Sequence, residues 1–216
     1  MIGEFFIIKS RISKLIKSNF GHKEEDTLDL GCGDNPYYHK YVNGKLFCFD
    51  IRKTRASNVV GNANSLPFKN SSFDSVISIN SFYYFENPFA SSKEVVRVLR
   101  KGGKFFLIMP FIYPIHDAPH DRYRFTEFGI KDLLKKDFSI KELKTIGGIF
   151  NLKAVFFHSM LKGLKFIFPK WLIFLSIPLI IVLYPFYILA QLLSLLDFLD
   201  RTGRWPTYYF VLAVKK

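Results

Sequence analysis

A short apolar run that ends in a glycine turn is the feature that most constrains the fold of this chain. The segment Leu28–Asn35 reads LDLGCGDN, and a second apolar run ends at Asp50. Glycine at positions 31 and 33 has no Cβ, so the turn can tighten and its backbone can approach a ligand closely. A carboxylate about 20 residues after such a turn lies beside the ribose of a nucleotide when the first two parallel strands are neighbours. The glycine turn together with Asp50 therefore predicts a nucleotide-binding α/β domain.

Short apolar strands alternate with helices along the rest of this region. A helix near 88–100 begins at Pro88 and is closed by Gly102 and Gly103, and a helix over 126–136 has Thr126 as its N-cap. This alternation predicts βαβ units and a parallel sheet, with ligands at the carboxyl ends of the strands. Strands are predicted near 27–30, 46–50, 58–60, 74–79, 104–109, 138–146 and 208–214.

Further motifs follow the glycine turn in a fixed order: Asn62-Ala63, Leu66-Pro67-Phe68, Ser72–Asn80, Val98–Lys104 and Phe105–Pro110. As an ordered set, they resemble the class I S-adenosylmethionine-dependent methyltransferases, in particular the small type 11 kind. The resemblance covers residues 25–146, with a weaker similarity at 207–214. It departs at Asn62, where the family usually has aspartate, and at Phe85-Glu86, where a Glu-His pair is frequent.

The resemblance implies a Rossmann-like doubly wound α/β fold with a mostly parallel seven-stranded sheet and S-adenosyl-L-methionine as cofactor. The two glycines would turn around the methionine moiety, Asp29 would orient its ammonium group, and Asp50 would accept from the ribose hydroxyls. Asn62 and Ala63 would meet the adenine edge, and Asn80 would lie near the transferable methyl group. Turn capping is the alternative role for the two aspartates. The implied cofactor-binding set is Asp29, Gly31, Cys32, Gly33, Asp50, Ile51, Asn62, Ala63 and Asn80.

The segment His116–Thr126 follows the fifth strand, where such a fold places its acceptor-binding loop. It resembles the His…Pro-x-Asp-x-x-Arg-Phe-Thr stretch of methyltransferases found with surface-polysaccharide synthesis enzymes. A histidine beside a carboxylate can act as a general base near neutral pH, so His116, His120 and Asp121 are the predicted catalytic residues. Two alternatives stay open: a loop held by an Asp121–Arg124 pair, and a divalent metal site. No metal is predicted, because the spacing matches no strong ligand pattern.

The charge balance favours an anionic partner. The 216-residue chain has 31 Lys and Arg against 18 Asp and Glu, and its formal net charge is +13. Such an excess is typical of proteins that bind anionic membrane surfaces or polyanions. Nucleic acid is not expected, because no basic-aromatic recognition motif is present. The two cysteines, Cys32 and Cys48, indicate a reduced, cytosolic compartment. No signal peptide is predicted at the N-terminus.

Two segments could contact a membrane. Residues 4–19 are predicted to form a basic amphipathic helix, which could pack on the sheet edge or lie on a membrane surface. The run Trp171–Ala190 has no charged residue. Its length of about 20 residues is the length needed to cross the hydrocarbon of a membrane, although Pro178 and Pro185 interrupt it. Basic residues flank it on both sides: Lys162, Lys165, Lys170, Arg201 and Arg204.

Residues 208–214 are predicted to form a strand, and the resemblance implies that this terminal strand inserts back into the same sheet. A single crossing would then leave it on the wrong side of the bilayer. Basic residues on both flanks mark the cytoplasmic side. Both observations predict a kinked, re-entrant or in-plane hairpin at the cytoplasmic face of a membrane. The expected organisation is an N-terminal helix (1–22), a cofactor-binding core (23–148), a hydrophobic helical insertion (149–205) and a terminal strand (206–216).

The resulting hypothesis is a membrane-associated methyltransferase that acts on a lipid-linked saccharide or another amphiphilic acceptor. A quinone or phospholipid methyltransferase differs only in its acceptor. A non-catalytic membrane scaffold with the same fold is the other alternative, but a scaffold has no need of the glycine turn or of Asp50. The sequence does not predict an oligomeric state.

Overall fold

The computed structural model describes residues 6–20, 24–34, 36–167 and 174–216. Parts of the predicted features lie outside these residues: the start of the N-terminal helix, Asn35, Lys170, the first three residues of the apolar run and the side chain of Lys165. The chain divides into two compact units. One contains the residues up to Ile12, Ile112–Pro114 and Thr145–Thr207, and the other contains Ser13–Phe111, Ile115–Lys144 and Tyr208–Lys216.

The strands and helices follow the predicted order. The strands are β1 (Glu25–Leu30), β2 (Gly44–Asp50), β3 (Val59–Val60), β4 (Phe73–Ile79), β5 (Leu99–Pro110), β6 (Phe138–Ile146) and β7 (Tyr208–Lys215). The helices are α1 (Phe6–Phe20), α2 (Pro88–Val98), α3 (Glu127–Leu134), α4 (Ile149–Ile167) and α5 (Ser176–Leu193), with short 3₁₀ turns at His39–Tyr41, Phe82–Tyr84 and Ser194–Leu199. Thr126 caps α3 as predicted, since its side chain accepts from the Gly129 N–H at 3.2 Å.

Within the described residues, seven strands form one sheet in the order β3-β2-β1-β4-β5-β7-β6. The pairs β1–β2, β1–β4, β2–β3 and β4–β5 are parallel, and β7 is antiparallel to β5. The carboxyl ends of β1, β2, β4 and β5 therefore meet at one edge, which we call the carboxyl edge. Strand β7 begins at this edge, because Tyr208 lies opposite Pro110. This topology confirms the predicted Rossmann-like, mostly parallel seven-stranded fold.

The boundary between α2 and β5 differs from the prediction. The helix ends at Val98, and Leu99 already has extended backbone and pairs with Phe73 of β4. Gly102 and Gly103 therefore lie inside β5 rather than closing the helix. Gly102 has φ +74° and sits where the β4–β5 register shifts between Phe73 and Ser75. A glycine in this conformation absorbs the extra residues of a bulge at little cost.

Helix α1 buries its apolar face within the protein. Ile7, Ile8, Ile12, Ile16 and Phe20 recur at helical spacing and are all buried. The Phe20 ring meets the Phe106 ring of β5 edge to face, with centroids 5.3 Å apart. These side chains are unavailable to lipid, which favours the packed interpretation of this helix over a membrane-surface one.

Helices α4 and α5 form an antiparallel hairpin. The Phe157 and Phe186 rings stack with centroids 6.1 Å apart. At the other end, the N–H of Ile149 donates to Asp200 and the N–H of Asn151 donates to Asp197, both at 3.0 Å. These carboxylates satisfy the free N–H groups of the first turn of α4. The amino-terminal end of α4 and the residues after α5 therefore form the base of the hairpin.

The prolines do not interrupt α5, contrary to the prediction. Pro178 lies in the first turn, where a helix needs no N–H donor, and Pro185 lies inside a helix that continues to Leu193. Within the described residues, one helical segment, Ser176–Leu199, is long and apolar enough to cross a membrane, and only 22% of its most apolar window is buried.

Candidate functional site

The glycine turn closes directly onto strand β2. The N–H groups of Gly31 and Cys32 both donate to the Phe49 carbonyl, at 2.8 and 3.1 Å. Gly31 has φ +83° and Gly33 has φ +65°. Residues other than glycine rarely adopt this left-handed backbone conformation. The sequence therefore needs glycine at both positions for the chain to leave β1 and pass over the carboxyl edge.

A pair of buried serines supports this turn from below. Ser78 and Ser81 both donate to the Leu30 carbonyl, at 3.0 and 2.8 Å, and their hydroxyl oxygens lie 2.7 Å apart. A Cβ built on Gly31 would lie 2.4 Å from the Cβ of Ser81, whereas one built on Gly33 would meet nothing within 4 Å. The turn thus packs tightly on one side and is open on the other, where a ligand can approach.

This asymmetry predicts that Gly31→Ala destabilises the protein more than Gly33→Ala. Both changes force alanine into a left-handed conformation, at a cost of about 1–2 kcal/mol. Gly31→Ala adds the overlap with Ser81, which costs about 1–3 kcal/mol more. Urea unfolding followed by circular dichroism measures the difference. Equal losses in the two variants would contradict the close contact between the turn and Ser81.

Asp50 lies at the end of β2 and faces the same turn. Its carboxylate accepts from the Gly33 N–H at 3.0 Å and from the Arg52 N–H at 3.1 Å. Two carboxylate oxygens can accept more than two hydrogen bonds, so acceptor capacity remains for a pair of ribose hydroxyls. The next residue, Ile51, exposes 64% of its surface. An exposed aliphatic side chain beside this carboxylate offers an apolar contact for a nucleoside base.

Asp29 lies beneath the turn and is fully buried. The Tyr38 hydroxyl donates to both carboxylate oxygens, at 3.0 and 2.8 Å, and His39 Nε2 lies 2.5 Å from Oδ2. Burial raises the pKa of Asp29, although the hydrogen bonds from His39 and Tyr38 oppose this shift. The Asp29 carboxylate is therefore already partnered by Tyr38 and His39, and its predicted contact with a cofactor ammonium group stays a prediction.

The remaining predicted cofactor residues surround the same edge. Asn62 is exposed, and its side-chain oxygen accepts from the Asn64 N–H at 2.9 Å, while Ala63 is buried. Asn80 follows β4 in a left-handed conformation, and its N–H donates to the Ile108 carbonyl at 2.9 Å. Cys32 is buried, and its thiol lies 3.9 Å from the Thr54 hydroxyl.

The loop after β5 is held by Asp121. Its carboxylate, which is nearly buried, makes a two-pronged ion pair with Arg124 and accepts from the backbone N–H of His116 at 2.7 Å. Burial opposes ionisation of Asp121, but the hydrogen bonds from Arg124 and His116 outweigh it, so the pKa of this carboxyl is lowered. Arg124 also lies over the Tyr83 ring, 5.1 Å from its centroid. These contacts favour the structural role for the Asp121–Arg124 pair.

The two loop histidines are both exposed. His120 donates its backbone N–H to the Asp117 carbonyl at 2.9 Å, and Asp117 has φ +62°. The structure thus presents His116 and His120 to solvent, while Asp121 holds the start of this segment through the His116 N–H. Among the described residues, the histidines and aspartates of this loop do not gather into a metal-ligating group.

The predicted cofactor residues meet at the carboxyl edge and fit S-adenosylmethionine. The turn is open above Gly33, Asp50 has acceptor capacity, and Ile51 is exposed beside it. Four supporting residues are absent from the sequence prediction: Tyr38, His39, Ser78 and Ser81. The aromatic run that follows Pro36 is the signal that could have indicated the first two.

Comparison with known proteins agrees with this geometry. Residues 28–107 match the family model described as a methyltransferase domain. The chain is 27% identical over 161 residues to MJ0638, an uncharacterized protein of Methanocaldococcus jannaschii, with 69% of each chain covered.

Two solved structures are similar in fold. An S-adenosylmethionine-dependent methyltransferase from Mesorhizobium loti superposes with a TM-score of 0.58 and 14% identity, covering 96% of this chain and 98% of that one. The [4+2]-cyclase SpnF gives a TM-score of 0.59 and 15% identity, covering 95% and 80%. At these identities the likeness concerns the fold alone.

Proposed function

We propose that this class I S-adenosylmethionine-dependent methyltransferase transfers its methyl group to an amphiphilic acceptor at the cytoplasmic surface of a membrane, with a lipid-linked saccharide as the favoured acceptor class. The cofactor supplies an electrophilic methyl group, and the chain binds it, positions the acceptor and provides a base. The observation that carries the proposal is the apolar hairpin α4–α5, inserted between the last two strands of a complete cofactor-binding domain.

The outer face of the hairpin supports the membrane part of this proposal. Monomeric soluble proteins rarely expose a large contiguous apolar patch, and such a patch indicates a protein or membrane contact. On the segment from α5 to the following 3₁₀ turn, the exposed apolar residues are Ile177, Leu179, Ile181, Val182, Phe186, Leu189, Leu192, Leu195, Phe198 and Leu199.

The charges of the hairpin support an in-plane orientation. Lys162 lies near the carboxyl end of α4, and Arg201 and Arg204 lie at the base, so both ends of the hairpin carry exposed cations. A hairpin standing across the bilayer would bury one of these ends or carry it to the far side, which is costly. Lying flat, the hairpin keeps both ends among anionic headgroups and its outer face in the acyl region.

The connectivity supports an acceptor that is itself anchored in the membrane. Tyr208, the first residue of β7 after the insertion, pairs with Pro110, the last residue of β5. The insertion therefore returns to the sheet at the carboxyl edge, which also carries Gly31, Asp50 and the start of the acceptor loop. A membrane-bound insertion in the same chain would hold the protein on the membrane that contains such acceptors.

The cofactor part of the assignment predicts a defect in Asp50→Ala. Loss of a charge-assisted hydrogen bond to the ribose costs about 1.5–3 kcal/mol, or roughly tenfold or more in affinity. Isothermal titration with S-adenosylhomocysteine measures this directly. Asp132→Asn is the matched control, because Asp132 is an exposed carboxylate on α3 that pairs with Lys135, the residue directly after the helix. An unchanged dissociation constant for S-adenosylhomocysteine in Asp50→Ala would show that Asp50 does not bind the ribose.

The acceptor part is tested by methyl transfer to lipid extracts. Purified protein is incubated with radiolabelled S-adenosylmethionine and membrane lipids separated into saccharide-linked, quinone and phospholipid fractions. We expect label in the saccharide-linked fraction. Label in the quinone or phospholipid fraction would support an amphiphilic acceptor but would show that it is not a lipid-linked saccharide. Label only in water-soluble acceptors, with normal cofactor binding, would overturn the membrane proposal and leave the methyltransferase assignment intact.

A further inference from the structure

Three potential metal ligands meet beneath the glycine turn. Oxygen of Asp29, ring nitrogen of His39 and sulfur of Cys48 all lie within 4.8 Å of one another. Asp29 and Cys48 are directly paired across β1 and β2, and His39 comes from the 3₁₀ turn that follows the glycine turn. Asp29 and Cys48 are buried, while the His39 side chain is about one quarter exposed, at 23%. The group is therefore enclosed by the sheet and open on one side.

The chemistry of these donors favours zinc. A mixed set of carboxylate, imidazole and thiolate suits a borderline-soft cation and does not suit Mg²⁺ or Ca²⁺, which prefer oxygen. Three protein ligands with an open side match the sites in which zinc keeps one position for water or another ligand. The residue spacing gives no hint of this, because strand pairing rather than a local motif brings positions 29 and 48 together.

One distance within the group must lengthen for zinc to bind. Ligand oxygen and nitrogen atoms at 2.0–2.1 Å from tetrahedral zinc lie about 3.3 Å apart. His39 Nε2 now lies 2.5 Å from Asp29 Oδ2, so the two atoms must separate by about 0.8 Å for the metal to fit between them. His39 is the partly exposed member of the set, so it is the ligand that would move outward to admit the metal.

An outer contact already fixes one ligand. The Tyr38 hydroxyl donates to both oxygens of Asp29 and is itself buried. Hydrogen bonds to the side chains that bind a metal orient those side chains, and they are a regular feature of zinc sites. A hydrogen-bonded Asp29–His39 pair without metal explains Tyr38 and His39 equally well, and the Cys48 thiol hydrogen-bonds with Cys32. The observation that favours a metal is that the Cys48 sulfur lies within 4.8 Å of ligand atoms of both Asp29 and His39.

We propose that Asp29, His39 and Cys48 bind one Zn²⁺ beneath the cofactor turn. This inference does not depend on methyl transfer. Since Asp29 and Gly31 are separated by one residue, a metal at this site would also order the turn that receives the cofactor.

Metal titration of the untagged, reduced and metal-stripped full chain tests this proposal. We expect one Zn²⁺ per chain in competition with a chromophoric chelator. Co²⁺ is the spectroscopic probe, and we expect a sulfur-to-cobalt charge-transfer band together with the strong visible bands of a four-coordinate site. The cobalt spectrum identifies thiolate ligation in the wild-type protein, so the test does not depend on any variant folding.

Matched variants identify the ligands. Cys48→Ser should abolish the charge-transfer band, and His39→Gln should weaken Zn²⁺ binding at least tenfold. Cys32→Ser and His116→Ala are the controls, because they remove the neighbouring thiol and an exposed histidine but keep all three ligands. Circular dichroism checks folding. Absence of stoichiometric Zn²⁺ binding by the wild type, or of the cobalt thiolate band, would overturn the site. So would loss of the band in Cys32→Ser with its retention in Cys48→Ser.

Discussion

Replacing His116 with alanine is expected to lower turnover about 10²-fold or more while leaving the affinity for S-adenosylhomocysteine unchanged. General-base catalysis by a positioned histidine contributes about 10²–10⁴-fold to a rate. The side chain of His116 is exposed, and its backbone is fixed by the hydrogen bond from its N–H to Asp121. The variant therefore removes the imidazole without removing the contact that holds the loop. Transfer of radiolabel from S-adenosylmethionine gives the turnover, and isothermal titration gives the affinity.

His120→Ala is the matched control for this experiment. Both histidines are exposed in the same loop, and we expect the smaller loss of turnover at position 120. Added imidazole should restore part of the turnover of His116→Ala, since a small base can occupy the vacated space. Equal, small losses in the two variants would show that the loop acts only as a scaffold, held by the Asp121–Arg124 pair.

Most of the sheet was predictable because hydrophobic runs and turn residues act locally. The predicted strand at 138–146 has the bounds observed for β6, and the glycine turn, Asp50 and Thr126 lie where the pattern places them. The start of β5 was not predictable in this way. Glycine after a helix normally indicates its end, but here pairing of Leu99 with Phe73 ends the helix earlier and moves Gly102 into a bulge.

The supporting residues of the site were harder to predict than its ligand-facing residues. Gly31 and Asp50 belong to a spacing that the chain itself displays. Ser78 looks like an ordinary polar residue of a strand, and only the buried position of β4 makes its hydrogen bond to the Leu30 carbonyl necessary. The approach of His39 to Cys48 depends on the pairing of β1 with β2, so no local pattern could indicate it.

The insertion shows how a local rule can fail. Pro185 predicts an interruption, because it cannot donate to the carbonyl four residues earlier. The observed helix continues for eight residues beyond it, to Leu193. Loss of one hydrogen bond is compensated by packing along α4, including the stacked Phe157 and Phe186 rings. Pro185 therefore does not divide α5.

The outer face of α5 should determine whether the protein stays with membranes. We expect wild-type protein to sediment with vesicles that contain anionic lipids, to resist high salt and to be released by detergent. The triple variant Ile181→Asn, Leu189→Asn and Phe198→Asn removes three exposed apolar side chains from this face. Such side chains contribute about 1.5–3 kcal/mol each when they leave water, so the partition coefficient should fall at least 10³-fold.

The matched control is Val60→Asn, Phe89→Asn and Phe128→Asn, which removes three exposed apolar side chains from the other compact unit. This control should sediment like the wild type. Single cysteines in place of Lys162 and Arg204 then report orientation, and an in-plane hairpin predicts labelling of both from the cytoplasmic side only. Labelling from opposite sides would establish a crossing. Release of the wild type by salt alone would show that only electrostatic attraction attaches the protein to the membrane. The apolar face of α5 would then be an interface with another protein.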